Sequence, residues 1–185
     1  MTNSISTSEE NPPEEAFSGD MDAMDLEPKE DLDRASSYAA KSGMLICGRL
    51  GFGTQSTVFM TDRQSAIKVL NREIHYARER DVYLRLKQQQ ITKVGQFSVP
   101  RLLGCDHELW IVEMTVVKPP YVLDFASARL DQPQDFSSEV LADWAAAKEE
   151  EFGDAWGEVR AVVWAFEEFG IYLTDVRPAN ICVRV

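Results

Sequence analysis

The 185 residues carry 31 Asp and Glu against 19 Lys and Arg, a net charge of −12, which excludes a protein held on nucleic acid by a general positive field. No run of about 18 apolar residues occurs, and Met1 to Asp20 has neither a basic start nor an apolar stretch, so neither a membrane span nor a signal peptide is expected. Cys47, Cys105 and Cys182 are odd in number and widely spaced, which argues against a disulfide framework or zinc site and makes a reduced, cytoplasmic protein the expectation.

The charge is uneven along the chain. Residues 1–40 hold 11 acids and 2 bases, with Pro12, Pro13 and Pro28 and few large apolar side chains, so a disordered acidic tail is expected there. The tail either serves solubility or contacts a protein partner. Residues 41–185 hold 20 acids and 17 bases and are nearly neutral. They divide at Lys118-Pro119-Pro120, a linker and a second candidate contact surface, into segments 41–117 and 118–185.

In chain order, Met44 to Leu50 reads as a strand ending in a glycine turn. Thr57 to Thr61 and Ser65 to Leu70 read as two more strands, joined as a hairpin. Asn71 to Gln90 has no Gly or Pro and repeats Ile74, Val82 and Leu86 near helical spacing. Further strand pairing is expected between Ser98 and Val117. Two helices follow, Ser138 to Phe152 and Ala155 to Phe169, each stopped by a glycine, and Ile181 to Val185 closes with a strand. The acids between Asp131 and Glu168 read as a solvated helical face. The pattern is α+β, without an internal repeat.

Three groups of residues carry chemistry. Gly51-Phe52-Gly53-Thr54-Gln55-Ser56-Thr57-Val58 is a glycine-rich loop between two strands. Glycines there serve either a tight hairpin or the approach of backbone N–H groups to phosphate oxygens. Lys68, inside the apolar strand Ala66-Ile67-Lys68-Val69-Leu70, is costly to bury without an anion, and Glu79 on the following helix is its natural partner. The alternative is a snorkelling Lys68 and a solvated Glu79. In Asp175-Val176-Arg177-Pro178-Ala179-Asn180, an Asp and an Asn on one loop offer a proton acceptor and a metal-binding carbonyl, with Arg177 for phosphate charge. Otherwise this is a capped polar loop. His75 and His107 are isolated and read as structural or exposed.

Glycine loop, Ala-Ile-Lys, helical Glu, linker and Asp-x-x-x-x-Asn in this order resemble the protein-kinase-like superfamily over residues 44–185. The resemblance implies a five-stranded, antiparallel-sheet N-lobe with one helix over 41–117 and a minimal helical C-lobe over 118–185, binding ATP with Mg²⁺ between them. It implies Gly51, Gly53, Ser56 and Val58 over the phosphates, Ser56 standing where a third glycine is usual. Lys68 would contact the α- and β-phosphates with Glu79 as its ion-pair partner. Glu113, Met114 and Thr115 would begin an adenine-facing hinge that runs to Val117. Asp175 would be the catalytic base, Arg177 a charge on the transferring phosphate, and Asn180 a magnesium ligand.

Departures are also visible. Leu173-Thr174 replaces the usual His-Arg before the catalytic Asp. The sequence ends five residues after Asn180 and no Asp follows Asp175, so the Asp-Phe-Gly carboxylate is expected to be missing. Asp124-Phe125-Ala126 has the look of that segment but precedes the catalytic loop, and it reads as a decoy in which Asp124 caps a turn or meets a ribose hydroxyl. Three expectations therefore stand: phosphotransfer from ATP to a hydroxyl acceptor, protein or small molecule; a catalytically silent binding or regulatory module; or a shortened relic of a longer kinase.

Overall fold

The computed structural model describes residues 29–133 and 135–183. The chain enters with helix α1 (Lys29–Lys41), which has acids in its first turn, Lys41 in its last and Ala35, Tyr38 and Ala39 buried along one face. Gly43, at φ +66°, ends it in the left-handed conformation, while the Met44 N–H returns to the Ala39 carbonyl at 2.8 Å. This corrects the expected disorder for residues 29–40. The helix is stabilised by what it packs on, and its charged outer face hid a three-residue apolar stripe in a composition count. Residues 1–28 lie outside the described part.

A five-stranded antiparallel sheet follows, in spatial order β1 (Ile46–Phe52), β2 (Ser56–Thr61), β3 (Ser65–Leu70), β7 (Ile111–Thr115), β6 (Leu102–Asp106). Between β3 and β6 the chain forms helix α2 (Glu73–Gln88) and the two-residue strands β4 (Lys93–Val94) and β5 (Phe97–Ser98). Strand β3 is buried at all six positions because α1 covers one face of the sheet and the main core the other. On α2 the inward residues are Tyr76, Glu79, Val82, Tyr83 and Leu86. Ile74, expected on that face, is instead exposed near the helix start.

Past the linker come β8 (Tyr121–Val122), β9 (Arg129–Leu130), α3 (Ser138–Phe152), a 3₁₀ turn (Gly153–Ala155), α4 (Trp156–Glu167), β10 (Ile171–Tyr172) and β11 (Ile181–Cys182). The Ser137 hydroxyl caps α3 by accepting from the Val140 N–H. No residue of α3 is buried, as its acidic composition suggested. Helix α4 buries Trp156, Val159, Val162, Val163 and Phe166 against the main core. The short strands form two small sheets, β10 with β9, and β11-β8-β5-β4. Both join segments far apart in sequence, which fixes the loops between them. No helix among the described residues is long and apolar enough to cross a membrane.

Helix α1 is tied to the sheet by polar contacts as well. Arg34 donates to the carbonyls of Leu70 (2.8 Å) and Leu109 (3.0 Å) and lies over the Trp110 ring. Asp31 accepts from the Thr57 hydroxyl at 2.7 Å. The Tyr38 hydroxyl donates to Glu113 at 3.0 Å, and Ser65 donates to the other oxygen of that carboxylate at 2.7 Å. Burial, with Glu113 beside it, pushes the Tyr38 phenol well above the usual range. The Tyr38 contact passes over Gly104, where an added Cβ would collide with the Tyr38 hydroxyl oxygen and lie 3.3 Å from Glu113 Oε2. Gly104→Ala is therefore expected to cost about 1–3 kcal/mol in urea unfolding. In a Tyr38→Phe background the same change is expected to cost less, because the colliding atom is gone.

Candidate functional site

The sheet, α2 and the segments around β8 and β11 enclose a cavity of about 530 Å³. Its roof is the loop between β1 and β2. Irregular register at two points of β1 twists this hairpin, and the Gly53 N–H closes the turn onto the Ser56 carbonyl at 2.9 Å. The tip is anchored on both sides: the Asn71 N–H reaches the Gln55 carbonyl at 3.0 Å, and Gln55 exchanges hydrogen bonds with the Ser127 hydroxyl at 3.0 and 3.2 Å. Gly51 and Gly53 line the cavity, neither has a positive φ, and a Cβ on either would meet no atom within 4 Å. Folding does not require glycine at these two positions. Their missing side chains leave room beside the backbone.

On the inner wall Lys68 is 5% exposed and Glu79 fully buried. Lys68 Nζ lies 2.8 and 2.6 Å from the two oxygens of Glu79. It also donates to Asp124 Oδ1 at 3.0 Å. One ammonium thus serves two carboxylates. Burial works against the Lys68 charge, but the two anions outweigh it and hold the group protonated above its ordinary range. Burial raises the Glu79 carboxyl, and Lys68 offsets that only in part. Asp124, less enclosed, is held below the usual carboxylate range: burial raises it, but the Lys68 charge and the hydrogen bonds from Lys68 and the Ala126 N–H prevail.

Asp124 has more around it than the expected turn cap. It does cap a turn, accepting from the Ala126 N–H at 3.2 Å. The same oxygen meets Lys68, and the side chain lines the cavity. Its backbone holds φ +67°, a left-handed conformation that Asp tolerates better than most residues. Phe125 beside it is fully buried, edge-on to Tyr83 of α2 and against Phe166 of α4. The triplet lies beside Asn180 because β11, which follows Asn180, pairs antiparallel with β8, which precedes Asp124, and the Leu123 N–H donates to the Asn180 carbonyl at 2.7 Å.

Asn180 is buried and spends its amide protons on the Asp175 carbonyl and Asp175 Oδ2, both at 3.0 Å. This leaves the Asn180 side-chain oxygen for the cavity that the residue lines. Arg177 lies 3.1 Å from the same Asp175 oxygen and also lines the cavity. The Asp175 side chain is 34% exposed. The Thr174 hydroxyl anchors the loop on the Ser127 carbonyl at 2.8 Å.

The structure brings Gly51, Gly53, Ser56, Val58, Lys68, Glu79, Met114, Thr115, Arg177 and Asn180 around one cavity; Asp175 is not among its lining residues and is joined to it through Asn180 and Arg177. Glu113 is not among the lining residues. Alternation along β7 turns its carboxylate to the opposite face, toward Tyr38 and Ser65. Val116 and Val117 take part instead, just past the end of β7. Tyr121 and Leu123 also line the cavity and carried no signal in the sequence. His107 is exposed beside Glu73, and burial with Arg72 and Arg78 nearby lowers the His75 pKa. Among the described residues no cluster of three or more His, Cys, Asp or Glu could hold a metal ion unaided.

Three solved structures are similar to this chain in part. The streptomycin–ATP–APH(2'')-IIa ternary complex shares 19% identity at a TM-score of 0.37, over 48% of this chain and 29% of that one. The ADP-bound aminoglycoside phosphotransferase APH(2'')-Ib shares 18% at 0.38, over 66% and 40%. The gentamicin–APH(2'')-IIa complex shares 14% at 0.43, over 80% and 42%. The chain spans less than half the length of each. No protein-family profile and no curated protein matches it.

The triad makes two stability predictions. Glu79→Ala leaves a buried ammonium with one partner fewer and is expected to cost about 3–5 kcal/mol in chemical unfolding. Asp124 is depressed in the folded state, so its contribution is present above the unfolded carboxylate pKa of about 4 and lost as pH falls through the folded value. The stability gap between the native chain and Asp124→Asn is expected to shrink as pH falls below about 4.

Proposed function

We propose that this chain binds a nucleoside triphosphate together with Mg²⁺ and transfers its terminal phosphoryl group to a hydroxyl acceptor. The observation that carries this reading is the meeting of Lys68, Asp124 and Asn180 around one cavity beneath a loop whose glycines leave space the fold does not use. In the kinase-like pattern the Asp-Phe-Gly segment follows the catalytic loop. Here Leu123-Asp124-Phe125-Ala126 takes its place from the other side, with the two segments in exchanged chain order and joined by the β8–β11 pairing.

The donor set suits Mg²⁺. A hard cation needs oxygen ligands and is commonly held by one or two carboxylates together with substrate phosphates and water. Asp124 and Asn180, neighbours at one end of the β8–β11 pair, supply a carboxylate and a carboxamide oxygen, too few to hold an ion without the polyphosphate. When bound, the ion would neutralise charge on the transferring group. The chain's own residues do the remainder. Lys68, kept charged by Glu79 and Asp124, presents a fixed ammonium to phosphate oxygens. The backbone of Gly51 to Gly53 covers them. Val116 and Val117, past the last ladder bond of β7, present backbone groups to a base. Asp175, oriented by Asn180 and Arg177, accepts the acceptor's proton through the oxygen those two leave free.

Thermal unfolding with ATP and Mg²⁺ tests the binding half. A ligand at about 100 times its dissociation constant adds about 2.7 kcal/mol. Gly53→Val is expected to leave the ligand-free protein within about 0.5 kcal/mol of native, since no atom awaits the side chain, and to abolish the ATP-dependent gain. Asp124→Asn is expected to retain a gain with ATP alone and to lose the increment that Mg²⁺ adds. No ATP-dependent gain in the native chain would overturn the reading. A gain without phosphoryl transfer to peptide or small-molecule hydroxyls would establish the silent module instead.

A further inference from the structure

A second cavity, of about 420 Å³, opens between α2 and β9, and it is lined by Arg78 and Asp81 of the helix and by Ala128, Arg129, Leu130 and Gln132. Two guanidinium groups from segments far apart in sequence share this space. Asp81 is its one acid, and one oxygen of that carboxylate, Oδ1, takes both contacts from Arg80, at 2.9 and 2.7 Å. Neither the Arg78 nor the Arg129 side chain has a hydrogen-bond or ion-pair partner among the described residues. The neighbouring arginine on the same seam behaves otherwise: Arg85 is engaged by Asp131 at 2.6 Å and by the Phe169 carbonyl at 2.9 Å. At one end of the α2–β9 seam a protein carboxylate meets its arginine. At the other, two arginines face a cavity whose one carboxylate, Asp81, is paired with a third arginine, Arg80.

We propose that this cavity is a binding site for a phosphate-type oxyanion, held between Arg78 and Arg129. A guanidinium presents a planar fork of N–H donors that matches phosphate oxygens two at a time, and two forks from different walls can grip one tetrahedral anion from both sides. The site is placed to act on the first cavity. Arg78 adjoins Glu79, the partner of Lys68. Arg129 pairs in register with Tyr172, three residues before Asp175. An anion gripping both would fasten α2 to the strand pair that leads into the Asp175 loop. The anion is either a phosphate carried by the acceptor molecule or a free phosphate that sets the closure of the site.

The probe is inorganic phosphate, titrated at constant ionic strength against chloride while arginine side-chain NMR signals of the full chain are followed. A saturable response of Arg78 and Arg129 is expected, and Arg78→Gln or Arg129→Gln should each weaken it about tenfold, the loss of one charge-assisted contact. Both side chains are exposed, so these variants keep the fold, and Lys93→Gln, the same charge change elsewhere on the surface, should leave it intact. A response no greater than that to chloride, or one weakened equally by Lys93→Gln, would overturn the site. Glycerol 3-phosphate with ATP and Mg²⁺ separates the sources: transfer to its hydroxyls that Arg129→Gln abolishes assigns the site to the acceptor, and a phosphate response without such transfer assigns it to a free anion. Loss of ATP binding with the phosphate response intact would sink the nucleotide reading alone.

Discussion

The arrangement depends on one ammonium held between two carboxylates in a place nearly closed to water. Lys68, Glu79 and Asp124 come from a central strand, a helix and an irregular segment, which share the main core and bring these three charges to one point. Isolated, each would be expensive to bury. Together they have a single Lys for two acids, so the triad carries an excess negative charge beside an opening, and the less enclosed carboxylate is the one on the cavity side. The Arg177 charge, which also acts on Asp124, offsets part of that excess.

The rest of the fold holds that wall still. Strand β3 carries Lys68 and is covered on both faces, by α1 and by the main core. Helix α1 also fastens neighbouring parts of the sheet: Asp31 holds Thr57 at the base of the glycine loop, Arg34 the ends of β3 and the turn before β7, and Tyr38 the Glu113 carboxylate behind the cavity. Polar contacts of this kind fix orientation more than they add net stability, since each replaces a contact with water. The loop tip is fastened to Ser127, three residues past Asp124, so roof and wall are connected directly.

Much of this could be read from the residues. The glycine loop, the charged residue inside an apolar strand, and the Asp and Asn of one polar loop are local signals, and strands β2 and β3 and helices α2, α3 and α4 follow from short-range periodicity. Helix α1 did not emerge, because its apolar stripe is three residues wide and lies in a strongly acidic segment whose average outweighs it. Glu113 was expected at the cavity, but the face that each residue of β7 presents depends on its register against β3, which is not a local property. Of the two-residue strands, β11 falls within the strand expected from Ile181 to Val185, while β4, β8, β9 and β10 were not expected. Such short pieces have no period to detect and exist only because a partner strand lies beside them.

Asp124 is legible only in part: a turn cap is a local property, but its place beside Asn180 is not, because sequence order is not spatial order. A strand pair is stabilised by its ladder and by the side chains on its faces, and these contacts are the same whichever strand the chain reaches first. What order changes is the connection. Here α3 and α4 are threaded between β8 and β11, while the pair itself still carries Asp124 and Asn180 together at one end. Chemistry requires that a carboxylate and a carboxamide face one space, and two antiparallel strands meet that requirement in either order.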